Sequence, residues 1–163
     1  MRRSKPAKLT SAAQSKPRAV KSLGALRDGR RVLEIEARAV QTLIERLDSK
    51  FAKAVDVLAQ CKGKVVVSGM GKSGLIGQKI AATLSSTGTR AHFLHPAEAF
   101  HGDLGRIHPD DVVVMLTQSG ETAEVVQLLP SLREFRVPLI AITATRDSTV
   151  GRAATVVIEL GEL

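Results

Sequence analysis

Five short runs of aliphatic residues, separated by stretches of helical spacing, limit what this chain can fold into more than any other feature. They are residues 64–68 (KVVVS), 90–94 (RAHFL), 111–116 (DVVVML), 137–143 (VPLIAIT) and 155–160 (TVVIEL). Between them, residues 75–86 and 122–135 carry helical periodicity, and 96–101 and 148–153 suit shorter helices. Valines in sequence, without polar alternation, suit strands buried on both faces, and intervening helices force parallel pairing. The pattern predicts an α/β fold, a doubly wound five-stranded parallel sheet flanked by helices. Trp and Tyr are absent while 44% of residues are apolar, which fits a core of small aliphatic side chains. Such sheets bind ligands beyond the carboxyl ends of their strands, where the strand order reverses. Functional residues are therefore expected just after the first three strands.

Upstream of the first run, Val32, Ile35, Ala39, Val40, Leu43, Leu47, Phe51, Val55 and Leu58 recur at spacings of three and four. They predict one or two amphipathic helices, broken near Asp48 and Ser49, and Lys62 with Gly63 ends the pattern. The net charge of +8 is concentrated further upstream. Residues 1–31 hold ten Lys/Arg against one acid, Asp28, whereas the other 132 residues hold 14 Lys/Arg and 15 Asp/Glu. The high pI thus belongs to a tail and gives no reason to expect a nucleic-acid-binding face. A mitochondrial-type presequence, a nucleic-acid-binding arm and a disordered leader are the readings open to it. Its Ser, Ala and Pro content favours the leader. The expected organisation is a leader over 1–31 and a ligand-binding domain over 32–163. No continuous apolar segment suggests a membrane partner, and a single cysteine, Cys61, fits a reducing cytoplasm.

Three polar clusters follow the first three strands. Gly69, Met70, Gly71, Lys72, Ser73 and Gly74 satisfy G-x-G-x-x-G, but the acid that a dinucleotide site needs at the end of the second strand is missing there. A nucleotide-phosphate loop would need glycine where Val66 stands. What remains is a turn that offers backbone N–H groups and the Ser73 hydroxyl at a helix start, suited to a phosphate; the plainer reading is a tight strand-to-helix turn. After the third strand come Thr117, Gln118, Ser119, Gly120, Glu121 and Thr122. One hydroxyl suffices for an N-cap, and three within six residues exceed that need. Hydroxyls and helix-start amides are neutral donors, apt for a phosphomonoester that must also leave. The third cluster, from His95 to Gly105, holds His95, Glu98, His101 and Asp103, which suggests acid–base work or a metal. No second ligand pair with suitable spacing accompanies His101 and Asp103, so neither metal nor cofactor is expected. His92 and His108 read as satisfied structural histidines.

These motifs, with residues 81–89 (AATLSSTGT) and 137–140 (VPLI), resemble the D-arabinose-5-phosphate isomerases of the sugar isomerase (SIS) family, from about Leu33 to Leu160. The resemblance implies interconversion of D-ribulose 5-phosphate and D-arabinose 5-phosphate through an enediol, feeding synthesis of 3-deoxy-D-manno-octulosonate for lipopolysaccharide. It also implies a cytoplasmic homotetramer acting on a pentose 5-phosphate. By that likeness Gly71, Ser73, Thr117, Gln118, Ser119 and Thr122 bind the substrate, and Lys72, His101 and Glu124 are catalytic. Lys72 would stabilise an oxyanion, His101 would shuttle or orient a proton, and Glu124 would act as base or as partner of Lys72. Family members continue past the fifth strand with another acidic active-site residue, a His-Pro-Gly segment and often two regulatory CBS modules. Against that pattern the chain is expected to be a C-terminally truncated isomerase domain without CBS modules. A phosphosugar-binding module without turnover is the alternative.

Overall fold

The computed structural model describes residues 22–161. Contacts divide the chain into two units that meet between Arg38 and Ala39. In the first, the described residues are the opening turns of helix α1, Ser22–Arg46. Leu26, Val32, Leu33 and Ile35 are all exposed there. Residues 1–21 of the expected leader lie outside the described residues, and residues 22–31 belong to α1.

The second unit holds the end of α1 and everything after it. Helix α2, Ser49–Ala59, starts at the expected break, with Asp48 as N-cap accepting a bond from the Lys50 amide (2.8 Å). There follow β1 (Val65–Gly69), α3 (Gly71–Ser86), β2 (Ala91–Leu94), α4 (Pro96–Ala99), a single 3₁₀ turn (Asp103–Arg106), β3 (Val112–Leu116), α5 (Ala123–Glu134), β4 (Leu139–Thr143), α6 (Thr149–Ala153) and β5 (Val156–Glu159). The strands form one sheet in the order β2-β1-β3-β4-β5, and every pair is parallel. Helices cover both faces, as the unbroken valine runs demand.

Each run of valines divides between those faces by the two-residue period of a strand. Val65, Val67, Val112, Val114 and Leu116 pack with Ala54, Val57 and Leu58 of α2 and with Ile80, Ala81 and Leu84 of α3. Val66, Val113 and Met115 pack with Ala99 of α4, Val125, Leu128 and Leu132 of α5 and Val150 of α6. At the amino ends of the strands the buried Asp111 accepts from the amides of Lys64 (2.7 Å) and His108 (2.9 Å), which ties β1 to the start of β3. That face of the molecule is built for stability.

The strand order reverses between β1 and β3, which pair with each other while their following helices go to opposite faces. Gly69 at the end of β1 is in register with Leu116 at the end of β3. The turns that follow are therefore brought side by side at the switch point of the sheet.

Candidate phosphosugar site

The first wall of the site is the turn from β1 into α3. The helix begins at Gly71, earlier than the periodicity predicts, with the Gly74 amide bonding the Met70 carbonyl (3.2 Å), and its first turn approaches the strand too closely for an ordinary side chain at Gly74. A Cβ on Gly74 would stand 2.7 Å from the Gly69 carbonyl oxygen. Gly71 itself has φ +55°, in the left-handed region that glycine enters without steric cost. This geometry exposes Lys72 and leaves Ser73 half-buried, one residue further into the opening turn.

The second wall is the 117–122 turn. Thr117 is buried, and its Oγ1 accepts from the Gly120 amide (3.1 Å); the Ser119 Oγ accepts from the Glu121 amide (3.2 Å). A hydroxyl that accepts keeps its own O–H to donate, so the turn holds itself in shape while presenting O–H donors. The Gln118 carbonyl accepts from the Thr143 hydroxyl (3.2 Å) and the Ala144 amide (3.0 Å), which fastens the turn to the end of β4.

The two walls meet. A cavity of about 190 Å³ is lined by Ser73 from the first turn and by Thr117, Gln118, Ser119 and Thr122 from the second, above Met70, Leu116 and Val125. A neighbouring cavity of about 230 Å³ shares Ser73, Thr117 and Gln118 and adds Lys72. Hydroxyls from both strand ends thus face common space with a lysine beside it, a chemistry suited to one small anion.

Other residues named from the sequence lie apart from these cavities. His101 is exposed in the turn after α4, where its amide bonds the Glu98 carbonyl (2.9 Å), and Glu124 is half-buried in the first turn of α5. Neither lines the two cavities, and Gly71 shapes the turn without lining them. His95 caps α4, its Nδ1 accepting from the Ala97 amide (3.3 Å), and it meets the Phe93 ring edge-on. His92 departs from the expectation of a satisfied histidine. Its Nε2 is buried without a hydrogen-bond partner, and burial, reinforced by Arg106 and Lys64, holds its pKa below the ordinary 6.5. Among the described residues there is no group of three or more His, Cys, Asp or Glu that could hold a metal, and no helix long and apolar enough to cross a membrane.

The sequence pattern marks Gly120 and Glu121 as members of the turn but not their partners Ser148 and Thr149, which support the second wall. A Cβ on Gly120, at φ +67°, would overlap Ser148, the N-cap of α6, while the Gly120 carbonyl accepts from the Val150 amide (3.1 Å). Glu121 reaches across to the Thr149 amide (2.6 Å), and hydrogen bonding from the Thr149 side chain, then from that amide, holds its carboxyl below the usual carboxylate range. A serine before a short helix was the available signal for Ser148. Nothing in the local pattern reveals a partner 28 residues away.

The family model for the SIS domain matches residues 57–162. The chain belongs to the SIS domain family. The match spans β1 to β5 and so contains both walls of the site. Over 132 residues the chain is 48% identical to arabinose 5-phosphate isomerase KpsF of Escherichia coli O6:H1, covering 80% of this chain and 40% of that protein. It is 49% identical over 128 residues to arabinose 5-phosphate isomerase KdsD of Salmonella typhi, covering 78% and 39%. It therefore spans about two-fifths of the length of these curated relatives. A solved structure from E. coli CFT073, in complex with arabinose 5-phosphate, superposes with a TM-score of 0.84 at 39% identity, over 88% of this chain and 77% of that one. Phosphoheptose isomerase from Neisseria gonorrhoeae, 19% identical with a TM-score of 0.71, shares the fold over 85% of this chain and 87% of that one.

Proposed function

We propose that this chain is the phosphosugar-binding and isomerising domain of a D-arabinose-5-phosphate isomerase. The observation that carries the reading is the convergence of Ser73 with Thr117, Gln118, Ser119 and Thr122 on one small cavity at the switch point of the sheet. The likeness to named arabinose 5-phosphate isomerases, and to a structure holding arabinose 5-phosphate, supports the sugar. The substrate phosphate sits between the two turns, on neutral donors that bind a dianion without trapping it. The sugar then extends past Lys72.

Aldose–ketose exchange between D-arabinose 5-phosphate and D-ribulose 5-phosphate moves one proton between C1 and C2 through an enediolate. A base removes the proton, and a cation stabilises the oxygen on which charge develops. Lys72 takes the second task, a role its position at the edge of the neighbouring cavity supports. Glu124 and His101 are the candidates for proton transfer, supplied from α5 and from the turn after α4. Cytoplasmic action in 3-deoxy-D-manno-octulosonate synthesis completes the proposal, with 32–163 as the working domain. Val40 and Ile44 of α1, Leu47 of the link, and Phe51 and Val55 of α2 are exposed, which supports assembly into a homo-oligomer of the tetrameric kind.

A coupled assay with ribulose 5-phosphate, run beside a calorimetric titration with arabinose 5-phosphate, tests the reading. Saturable binding that weakens about tenfold in Ser73→Ala and in Ser119→Ala is expected, as for a lost charge-assisted hydrogen bond. Binding with no turnover would favour a module that senses the phosphosugar, and no binding would end the proposal.

A further inference from the structure

We propose that Glu121 is a positioning residue that holds the phosphate-receiving turn in its working shape through a tether to the start of α6, an inference that rests on the site reading above. The turn meets α6 at three points. The Gly120 carbonyl accepts from the Val150 amide (3.1 Å), the absent side chain of Gly120 leaves room for Ser148, and a Glu121 carboxylate oxygen accepts from the Thr149 amide at 2.6 Å. Only the last is made by a side chain of the turn itself. It is also shorter than the neutral bonds around it, as expected for an ionised acceptor. Hydrogen bonding to Thr149, with Arg152 nearby, lowers the Glu121 pKa and keeps the acceptor charged.

A helix-capping role alone does not account for this arrangement. Helix α6 already has a cap, since the Ser148 Oγ accepts from the Gly151 amide (3.1 Å) and donates to the Thr145 carbonyl (3.1 Å). The other end of the Glu121 bond is different. Its own amide is the donor that the Ser119 hydroxyl accepts, and Ser119 lines the cavity. Thr122, the next residue, lines the same cavity. The tether therefore fixes the backbone between two cavity hydroxyls, and its loss lets both drift from the position a phosphate requires. A carboxylate so close to an anion site would repel the ligand if it pointed inward, and turning it toward α6 removes that conflict.

Both ends of the bond can be cut separately. Glu121→Ala removes the acceptor. Thr149→Pro removes the donor at the first position of α6, where proline is well tolerated, and Ser148 before it already has φ −73° and ψ 165°, a conformation that suits a residue preceding proline. Glu121→Gln keeps an acceptor oxygen. Titration of each full chain with arabinose 5-phosphate by calorimetry, beside urea midpoints, gives the readout. We expect Glu121→Ala and Thr149→Pro each to weaken binding about tenfold, the double variant to be no weaker than either, and Glu121→Gln to stay within about threefold of the parent. A purely structural role would shift the urea midpoints and leave the affinity in place. Parent-like affinity in Glu121→Ala, or losses that multiply in the double variant, would overturn the inference. Should Glu121→Ala not fold, Thr149→Pro with parent-like affinity would do the same. A parent chain that binds neither arabinose 5-phosphate nor inorganic phosphate would instead sink the reading of the site.

Discussion

Alanine at Gly120 and at Gly71 separates two costs that the site combines. Both glycines have left-handed backbone, at φ +67° and +55°, so either alanine costs about 1 kcal/mol through its Cβ. Around Gly71 no atom outside its own helix and chain neighbours lies within 4 Å of the added carbon, and the cost should stop there. At Gly120 the carbon overlaps the Oγ and Cβ of Ser148, which is buried and cannot swing aside into solvent. Moving it breaks the cap to Gly151 and the bond to the Thr145 carbonyl, a further loss of about 1–2 kcal/mol. Gly120→Ala should thus lose about 2–3 kcal/mol, against about 1 kcal/mol for Gly71→Ala. Urea unfolding of both variants and the parent measures this, with slopes expected to stay constant. Equal losses in the two variants would refute the claim that the turn is packed against α6.

Three further outcomes follow from other parts of the molecule. Arg136 follows α5 with φ +57°, and the Val137 amide closes the helix end on the Leu132 carbonyl (3.3 Å); Arg136→Gly should raise stability by about 0.5–1 kcal/mol in the same urea assay. Because His92 has a lowered pKa, the unfolded chain takes up its proton first as pH falls. Stability should therefore decline as pH drops below 6.5, and His92→Leu should flatten that part of the profile, with an NMR titration placing the His92 pKa below 6.5. Glu159 is held below the ordinary 4.5 by its bond from the Arg146 side chain (3.0 Å), so its contribution is present above pH 4.5 and is lost as pH falls through the lowered value. Melting of the parent and of Glu159→Gln should therefore converge in acid.

The sheet was legible because its two central strands announce themselves by composition. Val65–Val67 and Val112–Val114 have no polar residue to place on a solvent face, and the structure buries them on both. Element ends were less legible where the deciding partner is distant. Helix α3 opens at Gly71, and its first turn can lie against the Gly69 carbonyl only because Gly74 has no Cβ, a packing feature that helical periodicity does not carry. Strand β4 begins at Leu139, two residues late, because Pro138 has no amide to pair and Val137 is spent closing α5. Val32 and Ile35 show that helical spacing can be right while the face it predicts stays exposed. In the site, the hydroxyl clusters stood out locally, whereas Thr143, Ser148 and Glu121 act through bonds or packing to residues about 25–28 positions away, and local spacing does not show those partners.

The meeting of two strand-end turns on one anion is tested most directly by backbone NMR during a titration with arabinose 5-phosphate. The amides of Ser73 and Ser119 should shift together along one saturation curve, and unphosphorylated arabinose should leave both in place. Shifts confined to one turn, or two curves with different midpoints, would contradict a shared site.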